Sequence, residues 1–328
     1  MREINMRKTA TNKINSKIFT VLAVLLGLFI LQACSPNEAP IPTETAEIVK
    51  ATASLIPSAT VSPTATPTAT PEPTPTKTYK AGEIETREQD GMEMVYVPAG
   101  SFKMGSDSEF DDEQPLRQIS LDAFFIDKYE VSNGQYQECL SAGACAEPGD
   151  LTTPSQESYF ANPDFADYPV VYVDWAQAQA YCQWVGGDLP SEAQWEKAAR
   201  GTDERQFPWG NEGPDTQFTF GAEDFPNDYA NFNDYEGDLM PVGSYPNGAS
   251  PYGALDIAGN VWEWTRDWYG AYDARQTVNP EGPESGTDKV VRGGAFDFGA
   301  WSIRSTYRGK QSPDYQNYQQ GFRCIVLP

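Results

Sequence analysis

Apolar and polar positions change pattern three times along the chain. Residues 1–33 open with Arg2, Arg7, Lys8, Lys13 and Lys17, and then run through the unbroken apolar stretch "IFTVLAVLLGLFILQA" to Cys34. That stretch falls short of the ~20 residues a spanning helix needs. A basic start, a short apolar run and "LQAC" together have the form of a bacterial lipoprotein signal, cleaved before Cys34. Residues 34–84 hold a lipid-modified Cys34 and a stalk rich in Pro, Thr and Ala, as in "TVSPTATPTATPEPTPTKT". Nothing in the stalk is bulky enough to build a core. From residue 85 onward periodic apolar positions appear, over a length that supports one large domain.

Within that domain the pattern is mixed. "EMVYVPAGSFKMGS" alternates as a strand does and carries a turn, which predicts a hairpin. Three helices begin on capping boxes, with Gln three residues after Ser132, Asp174 and Ser191. The second stops at Gly186 and Gly187 and the third at Gly201. Trp175, Ala178, Cys182 and Val185 share one face of the second helix. Trp195, Ala198 and Ala199 share one face of the third. Both faces read as core. Beyond residue 202, Gly, Pro, Asn and Asp are frequent and periodicity is weak, so short strands are all that is expected. The fold class is α+β, one compact domain with little regular secondary structure.

Composition narrows the chemistry. The chain has no His, and its net charge is −24. From Glu85 on it holds 15 basic and 41 acidic residues, a net −26. Such a surface repels nucleic acid. The lack of His removes His-based triads and His-ligated metal sites. Of five cysteines, lipid takes Cys34, and four remain for an oxidising compartment. Four cysteines allow three pairings. Proximity favours Cys139–Cys145 in "CLSAGAC", which leaves Cys182–Cys324.

Six segments then occur in order: "MVYVPAGSFKMGS", "PVVYVDWAQAQAYCQWVGGDLPSEAQWEKAARG", "FPWGNE", "YGALDIAGNVWEWTRDWYG", "VVRGGAF" and "QGFRC". Together they resemble the formylglycine-generating enzyme, or sulfatase-modifying factor, family. The resemblance implies a fold related to C-type-lectin-like domains and supports the Cys182–Cys324 bridge. It implies an oxidase that converts a client protein's cysteine to formylglycine, using copper and two cysteines shortly after "RGGS". Here Ala295 replaces that serine, Phe298 stands at the first thiol position, and the second falls within 301–303, where no cysteine occurs. Copper(I) wants soft thiolate ligands, so copper is not expected. A further branch uses His-ligated iron, which this chain cannot supply.

The resemblance also implies two structural calcium ions. One set of ligands is Asn231, Phe232, Asp234 and Glu236. The other is Asp256, Gly259, Val261 and Glu263. Side-chain and carbonyl oxygens of this kind suit calcium.

Between Lys289 and Arg323 six basic residues meet two acidic ones, among many aromatics. Arginine beside aromatic rings is the makeup of recognition surfaces. Trp301, Arg304, Tyr307 and Arg308 are the expected contacts for an envelope protein, a peptide or a glycan. The reading is therefore an extracytoplasmic module, held to a membrane through Cys34, that acts by binding. Alternatives are a formylglycine-type oxidase with an unrecognised site, and a variable ligand-binding protein of the diversity-generating type.

Overall fold

The structure, a computed structural model, describes residues 77–214 and 228–328. The signal segment, Cys34 and the stalk up to residue 76 lie outside the described residues. Among the described residues no helix is long and apolar enough to cross a membrane.

Among the described residues, three small sheets and three short α-helices make up the regular structure of the domain. Strands β1 (Ile84–Thr86), β2 (Glu93–Val97), β5 (Phe124–Asp127) and β10 (Ile325–Val326) form one antiparallel sheet in that order. Strands β3 (Gly100–Met104) and β4 (Arg117–Leu121) form a separate pair. Strands β6 (Trp262–Trp268), β7 (Lys289–Arg292), β8 (Gly309–Gln311) and β9 (Gln320–Gly321) form the third sheet, ordered β8-β7-β6-β9. The architecture is α+β with long irregular connections, as expected.

The predicted hairpin over 93–104 does not form. β2 pairs with β1 and β5, whereas β3 pairs only with β4. Pro98 and Ala99 separate the two strands. Proline cannot donate to a ladder, and Gly100 takes φ 131° at the exit. The chain is thereby steered into a second sheet instead of folding back.

The helices begin where the capping boxes place them. Ser132, Asp174 and Ser191 cap α1 (Asn133–Ser141), α2 (Trp175–Trp184) and α3 (Glu192–Arg200), each with a reciprocal Gln side-chain bond. α2 ends against Gly186 at φ 80° and α3 at Gly201 at φ 71°. α3 buries nearly all of its residues, including Glu192, Glu196, Lys197 and Arg200. A helix this short gains little from propensity, so packing and its charged partners hold it.

Both disulfides pair as expected. Cys139–Cys145 closes the loop after α1, and Cys182–Cys324 ties α2 to the C-terminal segment. Cys182 and Cys324 sit in the largest core cluster with Tyr136, Tyr181, Trp264 and Phe322. A second cluster gathers Trp195, Ala198 and Ala199 beneath β2 to β5. Indole N–H groups find acceptors: Trp264 donates to Val173 O at 3.0 Å and Trp175 to Thr265 O at 2.8 Å. Trp175 is half-buried, with Lys289 Nζ 3.9 Å from its ring centroid and 3.9 Å from that of Trp268.

Candidate functional site

The segment after β7 is shaped by Gly293 and Gly294, at φ 96° and 79°. A Cβ on Gly294 would lie 2.6 Å from Ser302 Oγ, so only glycine fits the turn. Arg292 just before them is fully buried. It donates to Glu192 and Glu196 of α3 and to the carbonyls of Ser305 and Thr306. One guanidinium thus fastens β7 and the returning chain to α3.

Arg304 and Arg308 repeat the device. They do not form the exposed recognition surface expected of them. Arg304 is 1% exposed and grips the fully buried Glu113 at 2.9 and 2.5 Å. Arg308 is 4% exposed and donates to both Glu192 oxygens, at 2.6 and 2.8 Å. Burial alone would lower the Arg308 pKa, but Glu192, with Tyr272 and Tyr269, more than offsets it, and the net shift is upward. The local excess of positive charge is consumed by carboxylates distant in sequence. The density of arginine and aromatics, read as a contact surface, reports internal anchoring.

Trp301 and Tyr307, the other expected contacts, are half-buried and belong to a ring cluster. Trp301 and Tyr307 centroids lie 4.8 Å apart, Phe298 and Trp301 6.1 Å, and Trp262 and Phe298 5.3 Å. Phe298, Tyr307, Trp262 and Tyr269 line a shallow cleft of about 310 Å³ whose rim carries Asp112, Lys310 and Gln311. The position where the resemblance places a first thiol is therefore one wall of an aromatic cleft. All four described cysteines are in disulfides.

The expected calcium ligands divide unevenly. Asn231 and Asp256 are buried, and each has one side-chain oxygen, Oδ1, with no hydrogen-bond partner. A buried, unsatisfied oxygen is costly, and a cation would satisfy it. Asp234 is exposed, and Asp234 and Asp256 both adopt left-handed backbone, at φ 59° and 52°. Glu236 is exposed, Phe232 is fully buried, and Gly259 and Val261 follow Asp256 on the approach to β6. Glu263, by contrast, is committed. It accepts from Arg323 Nε and Nη2, at 2.8 and 2.7 Å, and from the Trp195 indole at 2.7 Å.

Beside Asp256 and Glu263 lies Glu130, which sequence reasoning missed. It accepts from Asn260 Nδ2 at 2.9 Å and from the Val261 N–H at 3.3 Å. Burial, then Asp256, then Glu263 push its pKa well above the usual carboxylate range. Three buried carboxylates around one guanidinium leave a local deficit of positive charge. The unpartnered Asn231 and Asp256 oxygens are of the kind a hard cation takes, while among the described residues no three acidic side chains converge on one point. Glu130 follows β5 in an unremarkable "KYEVS", and no spacing marks it.

The Arg292, Arg304, Arg308 and Arg323 anchors, the α2-to-terminus disulfide and the glycine-shaped turn define the site of a sulfatase-modifying-factor fold. The comparisons agree. The family model for the "Sulfatase-modifying factor enzyme 1-like domain" matches residues 80–327, and the chain belongs to that family. The formylglycine-generating enzyme of Bos taurus is 34% identical over 281 residues, covering 71% of this chain and 74% of its own. Among solved structures, PvdO from Pseudomonas aeruginosa superposes with a TM-score of 0.64 and 28% identity, over 76% of this chain and 100% of that one. Treponema denticola variable protein 1 gives 0.59 and 23%, over 75% and 99%, and shares the fold.

Proposed function

We propose that this domain is an envelope-anchored, calcium-stabilised binding module, built on the scaffold of a cysteine-oxidising family but acting through recognition. The observation that carries the reading is the aromatic cleft. Phe298 stands where the resemblance places a reactive thiol and packs edge-on against Trp262, with an interplanar angle of 86°. A thiolate that exchanges with a substrate cysteine needs an accessible sulfur. The sulfurs of Cys182 and Cys324 are fully buried and bonded to each other. A half-exposed ring wall with a polar rim is the composition of a recognition surface.

Calcium enters this reading as a structural ion. Asn231, Phe232, Asp234 and Glu236 would hold one ion. Asp256, Gly259 and Val261 would hold the other, with Glu130 and Glu263 supplying negative charge nearby. Such ions fix loops that have few ladders of their own. Lipid at Cys34 would hold the module on the outer side of a bacterial membrane.

The test combines two measurements on the full chain. Supplied with copper, oxygen and a peptide bearing the Cys-Thr-Pro-Ser-Arg motif, the protein is expected to form no aldehyde by mass spectrometry. Cross-linking in intact envelopes is expected to trap a partner that Phe298→Ala releases. Formylglycine in the peptide would overturn the reading, as would cross-linking that Phe298→Ala leaves unchanged.

A further inference from the structure

A second cavity, of about 220 Å³, lies where the end of β3 and the start of β4 meet the start of α3 and the chain that follows β6. Phe298 takes no part in it. Five charged side chains line the cavity: Arg117, Glu192, Asp267, Asp273 and Arg308. Three of them are already matched. Glu192 and Arg308 hold each other at 2.6 and 2.8 Å, and Arg275 holds Asp273 at 2.8 Å. Arg117 and Asp267 are left, one of each sign.

Arg117 is an exception in a domain of net −26. Among the described residues it is the one arginine that makes no ion pair. A guanidinium carries two N–H on each terminal nitrogen. Nη1 gives one to Asp273 O at 3.0 Å and Nη2 gives one to the Met104 sulfur at 3.4 Å, so each keeps a second. Nε is enclosed and plays no part. The group is held in place before any ligand arrives, because it stacks 4.1 Å from the Tyr272 ring centroid, with Arg308 at 4.0 Å from the same ring. Asp267 is 4% exposed. Its Oδ2 accepts from the Glu192 N–H at 2.8 Å, whereas Oδ1 accepts no hydrogen bond and is not enclosed. Gly282, at φ 70°, keeps the space before Oδ1 open, since a Cβ there would lie 3.1 Å from that oxygen. Burial first, then Glu192, hold the Asp267 carboxyl up to about 7. An ammonium beside Oδ1 would favour its charged form.

One unmatched charge of each sign selects a small zwitterion. An inorganic anion would satisfy Arg117 and meet like charge at Asp267, and a bare amine would do the reverse. A carboxylate on Arg117 and an ammonium on Asp267 leave neither group unpaired, and both contacts are charge-assisted hydrogen bonds. The volume sets the size, because it falls below the ~300 Å³ at which pockets for drug-sized ligands begin. The rest of the wall includes Met104, Ala193 and Pro280, all buried and apolar, which suits a short aliphatic side chain. We propose that this cavity binds a free α-amino acid with a short apolar side chain, its carboxylate on Arg117 and its ammonium on Asp267. The site is separate from the aromatic cleft and does not depend on what that cleft binds.

Titration calorimetry on the full chain in detergent tests this with glycine, L-alanine and L-valine, beside propionate, which lacks the amine, and ethylamine, which lacks the carboxylate. L-Alanine or L-valine is expected to bind, and propionate and ethylamine at least about tenfold more weakly, near 1.4 kcal/mol. Arg117→Gln and Asp267→Asn are each expected to weaken amino-acid binding by about the same factor. Asp267→Asn keeps the side-chain size and removes a buried carboxyl, so it carries the test should Arg117→Gln unfold. Lys80→Ala, at an exposed position outside the cavity, should leave the affinity unchanged. No heat from any of the three amino acids would overturn the proposal. Propionate binding as tightly as L-alanine would also overturn it, because Asp267 would then have no role. Amino-acid binding that a folded Asp267→Asn variant leaves intact would place the ligand elsewhere and refute it as well.

Discussion

Replacing Arg304 by Ala tests whether the C-terminal arginines are anchors. The variant removes the guanidinium that holds Glu113 at 2.9 and 2.5 Å. The abandoned carboxylate is fully buried, and the arginine itself is 1% exposed. Water cannot reach Glu113 without opening the 3-10 turn at Asp111–Glu113. Breaking such a buried pair costs about 3–5 kcal/mol, against ~0–1 for an exposed pair. In a domain of this size 1 kcal/mol moves the melting temperature by roughly 2–4 °C, so the expected fall is about 6–20 °C. Scanning calorimetry of Arg304→Ala beside Lys310→Ala, an exposed control, reads it directly. Glu113→Gln in the Arg304→Ala background should recover part of the loss, because it removes the stranded charge. Arg308→Ala should cost less than Arg304→Ala, since Arg292 and the Tyr272 hydroxyl still bond Glu192. A shift within 2 °C of the Lys310 control would refute the anchoring argument and return these arginines to the surface.

Other outcomes follow from the same contacts. A chelator is expected to lower the melting temperature and calcium to restore it; Asp256→Ala should blunt that response, and identical curves with and without chelator would remove calcium from the account. Glu263→Ala should destabilise equally in both conditions, because it strands the fully buried Arg323; loss only in the presence of calcium would make Glu263 a ligand after all. Asp267 is buried, and burial first, then Glu192, push its carboxyl up to about 7 against lowering by the Glu192 N–H, Arg266 and Arg308. A raised carboxyl pKa means the folded state binds the proton more tightly, so this contribution is present below about pH 4 and is lost as pH rises to about 7. Asp267→Asn, measured by urea unfolding, should therefore gain on the parent between those values, by on the order of 4 kcal/mol at most; parallel stability curves would contradict it. Cys34→Ala should abolish incorporation of labelled palmitate, and undiminished labelling would remove the lipid anchor.

What the sequence made legible was local. The three capping boxes lie within four residues each, and all three helices start on them. The disulfides followed from a count of four and one short spacing. The failures were long-range. Strand pairing of 93–104 was lost because the alternation of "EMVYV" and "GSFKM" does not say whether the strands face each other. The arginines were misread for a similar reason. Glu113 and Arg304 are 191 residues apart, and Glu192 and Arg308 are 116 apart. Nothing near Arg304 in sequence announces its partner, so local charge density looked like surface.

The distribution of buried charge explains how this scaffold can keep its frame without its thiols. Arg292 ties α3 to the carbonyls of Ser305 and Thr306, Arg308 ties Glu192 to the carbonyls of Asp112 and Gly270, and Arg323 ties Glu263 to the carbonyls of Asp127, Lys128 and Leu255. Each anchor serves several elements at once, so each is under constraint from stability alone. Between the anchors Ala295, Ala300, Ser302 and Ile303 are buried as well, and only a few side chains reach the surface. Phe298 contacts rings and is half-exposed, and Tyr315 is exposed. Substitution there would leave the buried ion pairs of the four arginines in place. A sequence in which "RGG" and "GFRC" persist while the intervening thiols do not is what this division of labour produces. The retained motifs report the scaffold, and the function has to be read from the residues between them.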